Sequence, residues 1–220
     1  MFEPDIVFFD MDHTLLDIDC DVSWKYFLAD EGLAPEIDRA KADHYLEVYL
    51  QGETPIDEFL GFQLCEFIGR TPEEMRSLAE RHFSERVEKR IYPKARREIA
   101  KFSAEGVPTA LLTGTNEIIA EPVARHLGIS DLLATELEII DGRFTGFITG
   151  SFLSKEGKLK RALEYCRAKN CSLERTAFYA DSVNDLQMLE RVGEPIVVNP
   201  RQKLLAIAQA RNWRIEQWSP

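Results

Sequence analysis

The chain has 220 residues, 45% hydrophobic and 30% charged, with 27 Lys+Arg against 38 Asp+Glu for a net charge of −11. That is a globular composition, long enough to bury a core, and it excludes a disordered chain. An acidic balance with no basic run argues against nucleic acid, whose phosphates need Lys and Arg partners. No apolar run approaches the ~20 residues of a membrane span. The N-terminal MFEPDIVFFDMD lacks the basic region and cleavage site of a secretory leader. Cys20, Cys65, Cys166 and Cys171 form no CxxC or CxxH pattern, and they read as small hydrophobes of a reducing, cytoplasmic compartment.

In chain order, the first element is IVFF (6–9), an apolar run that ends in Asp10. Residues 16–92 contain no buried-strand pattern and read as four helices, roughly 22–31, 36–50, 56–68 and 72–88. Pro35, Pro55 and Pro72 fall at first-turn positions, with Thr54 and Thr71 as N-caps. Pro93 ends the stretch. A helix over 94–105 leads to TALL (109–112), which ends in Thr113, and a helix over 118–127 comes next. Residues 137–148 read as a hairpin about Asp141-Gly142. A helix over 159–168 precedes TAFYA (176–180), which ends in Asp181, and another covers 186–191. PIVV (195–198), a helix over 202–210 and an edge strand within 213–218 close the chain. Short, β-rich runs without alternation are how strands buried on both faces of a parallel sheet read. The alternation of strands and helices predicts an α/β fold. A single strand cannot stand as a domain, so the early helices read as an insertion after it.

Ligands of open α/β sheets bind beyond the carboxyl ends of the strands. The three runs deliver Asp10, Thr113 and Asp181 there, joined by Asp12, Thr14, Asn184 and Asp185, and Lys158 opens the preceding helix after Gly157. Hard oxygen donors suit Mg²⁺. A carboxylate is already ionised at neutral pH and can attack phosphorus without a base. A second acid two residues on can protonate the leaving alkoxide and then deprotonate water. His13 reads as a spacer, because strict alternation would turn it away from Asp10 and Asp12.

FFDMDHTLLD, LLTGTN, GKLK and ADSVND resemble, in order, the four motifs of the haloacid dehalogenase superfamily of phosphohydrolases. The early helical insertion and the tail GEPIVVNPRQKLLAIAQARNW point to its phosphoserine-phosphatase-like subfamily IB. The resemblance implies a Rossmann-like parallel sheet core, residues 1–15 and 93–220, with an inserted helical cap domain of C1 type, residues 16–92. It implies Mg²⁺-dependent hydrolysis of a small phosphate ester through an aspartyl-phosphate. Asp10 would be the nucleophile and Asp12 the acid and base. Asp10, Asp12 through its carbonyl, and Asp181 would hold Mg²⁺, with Asp185 orienting the metal site. Thr113, Lys158 and the backbone of Gly114 and Thr115 would bind phosphate, and Asn184 would lie near substrate. Lys155 and Lys160 compete with Lys158 and are expected on the surface.

Asp19 stands where phosphoserine phosphatases carry the acid that holds the substrate ammonium. The arginine those enzymes use for the carboxylate has no counterpart, since residues 40–69 contain none. An amine-bearing ester without a carboxylate, such as histidinol phosphate, then fits better than phosphoserine. The other readings are a dehalogenase, which has no need of Asp12, a phosphoacceptor receiver, which has no cap, and a binding module without activity.

Overall fold

The computed structural model describes residues 2–51 and 55–220. Seven strands form one sheet. They are β1 (Ile6–Phe9), β2 (Thr109–Asn116), β3 (Asp131–Ile140), β4 (Arg143–Thr149), β5 (Thr176–Ala180), β6 (Glu194–Val198) and β7 (Arg214–Glu216). Their order is β4-β3-β2-β1-β5-β6-β7, all neighbours parallel except the β3–β4 pair. β1 is central and fully buried. Val7 and Phe9 enter one apolar cluster and Ile6 and Phe8 the other, on opposite faces. The same alternation separates Tyr179 from Phe178 on β5 and Ile196 from Val197 on β6. Both faces are covered, which is why these strands carry no polar alternation.

Four inserted helices follow β1 and precede Pro93 among the described residues: α1 (Cys20–Asp30), α2 (Asp38–Gln51), α3 (Ile56–Leu64) and α4 (Pro72–His82). Thr71 caps α4 in a reciprocal capping box with Glu74, as its sequence predicts. Pro35 does not open α2: the Asp38 N–H bonds to its carbonyl at 3.0 Å, and a turn precedes the helix. Pro55 is the N-cap of α3, and Thr54 lies outside the described residues. After α4 the chain widens into one π-turn, Phe83–Val87. The insertion leaves and rejoins the sheet side by side, with the Asp17 N–H on the Arg90 carbonyl (2.8 Å) and the Tyr92 N–H on that of Leu15 (3.0 Å).

α5 (Pro93–Ala104) and α6 (Glu117–Leu127) cover the face shared with the inserted helices. α7 (Glu156–Ala168), α8 (Leu186–Leu189) and α9 (Gln202–Ala210) cover the other. The hairpin turns at Asp141-Gly142, both at positive φ, as a two-residue turn requires. Its first strand starts at Asp131, six residues before the predicted run, and pairs with β2 before it pairs with β4. No helix among the described residues is long and apolar enough to cross a membrane, and all four cysteines are free thiols.

His82 ties α4 to α1. It is 1% exposed, edge-on to Trp24, with Nε2 2.9 Å from the Ser23 hydroxyl. Burial, with Arg86 nearby, holds its imidazole down to about 3. An unfolded imidazole titrates near ~6.5, so the neutral ring's contribution to stability is complete above that pH. It is lost as pH falls from there toward 3. Unfolding free energy of the wild type relative to His82→Gln should therefore drop by up to ~1.4 kcal/mol per pH unit in that window. Parallel stability curves for the two proteins would contradict this.

Candidate active site

Strand order reverses at β1, with β2 on one side and β5 on the other, and a crevice opens beyond their carboxyl ends. Asp10 comes directly after β1, its N–H on the Tyr179 carbonyl at 2.9 Å, and Asp181 directly after β5. Asp185 comes from the turn before α8. Oxygens of Asp10, Asp181 and Asp185 lie within 4.8 Å of one another, all three residues buried. Lys158 Nζ is 2.8 Å from Asp10 Oδ1 and 2.7 Å from Asp185 Oδ1. The Thr14 hydroxyl is 3.1 Å from Asp10 Oδ2 and 3.3 Å from Asp181 Oδ1. Lys158 is thus the lysine of this segment that reaches the acids, while Lys155 is exposed and Lys160 lies at the surface of α7.

Three carboxyl groups crowd one ammonium in a buried cluster, and ionising all three would leave a net charge of −2. Burial first, then Asp10 and Asp185, pushes the Asp181 carboxyl well above the usual range. Asp185 is pushed up to about 6 by burial, against the pull of Lys158. A divalent cation would replace those protons, and the donors are all hard oxygens, so the residues fit such an ion.

Asp12 stands outside this triad. Its Oδ1 accepts from the Cys20 N–H at 2.7 Å, and its Oδ2 from the Thr115 hydroxyl at 2.7 Å. Burial, with Asp19, Asp21 and Asp10 beside it, raises its carboxyl well above the usual range. Thr113 is buried, and its Oγ1 accepts the Thr115 N–H at 3.1 Å. Gly114 and Thr115 belong to β2, and Asn116 caps α6. The cap of α6 is therefore Asn116, not Thr113, and the helix begins two residues beyond Thr115. Asn184 is buried in the turn that carries Asp185 and does not line the cavity over the triad.

That cavity is roofed by the inserted helices. Asp10, Asp12, Thr113, Gly114, Thr115, Asp181 and Asp185 form its floor, and Asp19, Asp21, Tyr45, Phe59 and Gln63 its upper wall. Asp19 caps α1 through the Val22 N–H (2.9 Å) and also lines the cavity. Other acids of the insertion are committed elsewhere: Glu66 pairs with Lys25 at 2.5 Å, and Asp43 accepts from Tyr26. No arginine lines the cavity among the described residues. His13, read as a spacer, lines it with Nε2 buried and unpartnered. The chain has left β1 by then, and His13 adopts φ +58°, so strand alternation no longer applies. Lys25, fully buried against the Phe62 carbonyl (2.6 Å), and Gln63 are invisible to sequence periodicity.

A family model of haloacid dehalogenase-like hydrolases matches residues 7–190. The chain belongs to that family. Like other haloacid dehalogenase-like hydrolases it is an enzyme, and its inserted helices are the family's cap. It is 32% identical over 215 residues to a histidinol-phosphatase of Neisseria meningitidis serogroup C, covering 96% of this chain and 97% of that one. The phosphoserine phosphatase SerB1 of Mycobacterium tuberculosis is 31% identical over 150 residues, 68% of this chain and 49% of SerB1. Among solved structures, a protein of unknown function from Bordetella pertussis Tohama I superposes with TM-score 0.88 at 35% identity, covering 96% and 97% of the two chains. A phospho-aspartyl intermediate analogue of phosphoserine phosphatase superposes with TM-score 0.71 at 17% identity, covering 99% and 94%, a likeness of fold.

In this hydrolase Lys158 is placed by Gly157. A Cβ at residue 157 would stand 2.0 Å from the Phe152 carbonyl oxygen. Gly157→Ala must displace either the 152–153 segment or the start of α7. It should cost about 1–3 kcal/mol of stability, the usual penalty of overpacking, and lower turnover by moving Lys158 off Asp10. An unchanged melting temperature with unchanged kcat would contradict this placement.

Proposed function

We propose that the chain hydrolyses the phosphate ester of a small amine-bearing metabolite in two steps through Asp10. The observation that carries this reading is Asp10 held between Lys158 and Thr14 on the cavity floor, with Asp12 beside it and outside the acid triad. The Asp10 carboxylate attacks phosphorus, and Asp12 protonates the leaving alkoxide. Asp12 then takes a proton from the water that cleaves the aspartyl-phosphate. Lys158 and the Thr113 hydroxyl neutralise and orient the phosphate oxygens, and the backbone of Gly114 and Thr115 borders them. Mg²⁺ would be held by Asp10, the Asp12 carbonyl, Asp181 and Asp185, and would supply charge neutralisation that lets two anions meet. Residues 16–92, taken as the cap domain, close over the substrate and exclude bulk water from the first step. The free thiols are consistent with a cytoplasmic enzyme.

For the substrate, two observations favour histidinol phosphate over phosphoserine. A carboxylate is best met by a bidentate guanidinium, and none lines the cavity among the described residues. The full-length relative in Neisseria meningitidis is named a histidinol-phosphatase. With Mg²⁺, kcat/KM for histidinol phosphate should exceed that for phosphoserine by about 10²-fold, the size of one lost charge-assisted contact. Phosphoserine as the better substrate would overturn this choice and return the phosphoserine-phosphatase reading. An aryl phosphate left untouched would overturn the phosphatase reading itself.

A further inference from the structure

The cavity wall facing away from the acid triad holds two polar groups that the proposed chemistry does not use. Gln63 on α3 is 4% exposed and lines the cavity; its amide faces the Asp21 carboxylate and pulls that group down, but its Nε2 makes no close hydrogen bond. A buried amide donor without a close acceptor is costly and calls for a further polar partner. Beside it stands Asp21, on the first turn of α1, whose carboxyl also lines the cavity. Tyr45, Phe59 and Phe152 complete this end, with Phe59 5.8 Å from Tyr45 and 5.9 Å from Phe152 between ring centroids. The wall therefore offers one hydrogen-bond donor, one anionic acceptor and aromatic faces.

We infer that Asp21 and Gln63 are specificity-determining residues that together read a planar nitrogen heterocycle carrying one N–H and one bare ring nitrogen. The inference rests on the phosphatase reading and names what lies at the far end of the substrate. Asp21 accepts the ring N–H, and Gln63 Nε2 donates to the ring nitrogen that lacks a hydrogen, the complement of a neutral imidazole. The three aromatic side chains supply flat faces against which such a ring packs. Asp19, nearer the floor, is left to the amine. Other groups match less well. A carboxylate would satisfy Gln63 but face Asp19 and Asp21 at like charge, and an alkyl or phenyl group would offer neither polar group a partner.

Three phosphate esters separate these elements: histidinol phosphate, phenylalaninol phosphate and phosphoethanolamine. The first two share the amine and a planar ring and differ in the ring nitrogens, and the third has no ring. In the wild type, kcat/KM for histidinol phosphate should exceed that for phenylalaninol phosphate by about 10²-fold or more, because a site built to hydrogen-bond rejects an analogue lacking the group. In Gln63→Leu and Asp21→Asn that ratio should fall below about tenfold, with the loss carried by histidinol phosphate. Gln63→Met, of similar length, replaces Gln63→Leu if the latter melts early. A wild-type ratio near one, or a ratio that every folded variant preserves, would overturn the inference while aryl phosphate turnover left the phosphatase reading standing. Absence of turnover of all three esters and of an aryl phosphate would remove both.

Discussion

Asp10→Asn is expected to lower kcat on the order of 10⁴-fold or more, the loss typical of removing a nucleophile, while the protein stays folded. The amide oxygen can still accept from Lys158, which lies 2.8 Å from Oδ1, and the amide NH₂ can face the Thr14 hydroxyl. Thr14 then turns its own proton to Asp181, 3.3 Å away. The substitution also removes one acid from a cluster in which three carboxyl groups face one ammonium, so without a divalent cation the melting temperature should hold or rise. An amide is a far weaker nucleophile toward phosphorus. Turnover within tenfold of the wild type would take Asp10 out of the attacking role. A fall in melting temperature would mean that charge repulsion does not strain the triad.

Asp12→Asn should show a loss that depends on the leaving group. Alkyl phosphates, whose alkoxides need a proton, should lose about 10²–10⁴-fold in the first turnover, the usual size of general-acid catalysis. Aryl phosphates with acidic phenols should lose less than about tenfold in that step. The substitution fits the site: Oδ1 keeps the Cys20 N–H, and the NH₂ can donate to the Thr115 hydroxyl oxygen. In the wild type, burial and three neighbouring acids raise the Asp12 carboxyl well above the usual range, which favours the protonated form that an acid needs at the start of the reaction. Equal losses across a leaving-group series, read from pre-steady-state rates, would assign the proton to another group.

Elements are legible in the sequence where the physics that forms them is local. β1, β5 and β6 announce themselves because each is an apolar run buried on both faces, and Asp10 and Asp181 are found as the residues immediately after the first two of these runs. Lys158 is separable from Lys155 and Lys160 through Gly157, whose close approach to Phe152 only a glycine permits. The first half of β3 hides because DLLATE mixes polar and apolar residues. Its Thr135 is buried to bond the Gly114 carbonyl at 2.7 Å, a tertiary duty with no periodic signature. His13 is misread for a related reason, since alternation holds only while the chain remains a strand. Among the acids of the inserted helices, composition does not separate Asp19 and Asp21, which line the cavity, from Glu66, which is paired to a buried lysine. That division depends on how α1 and α3 pack, and long-range packing sets it.

Every step of the mechanism depends on a phosphoryl group carried by Asp10. Acid-quenched enzyme taken from turnover of histidinol phosphate or an aryl phosphate with Mg²⁺, then treated with borohydride, should contain homoserine at position 10, the product of reducing an aspartyl-phosphate. Asp12→Asn should raise its yield, because that variant forms the intermediate from aryl phosphates but lacks the base that clears it. Homoserine at position 12, or none at either position while phosphate is released at the full rate, would contradict the mechanism.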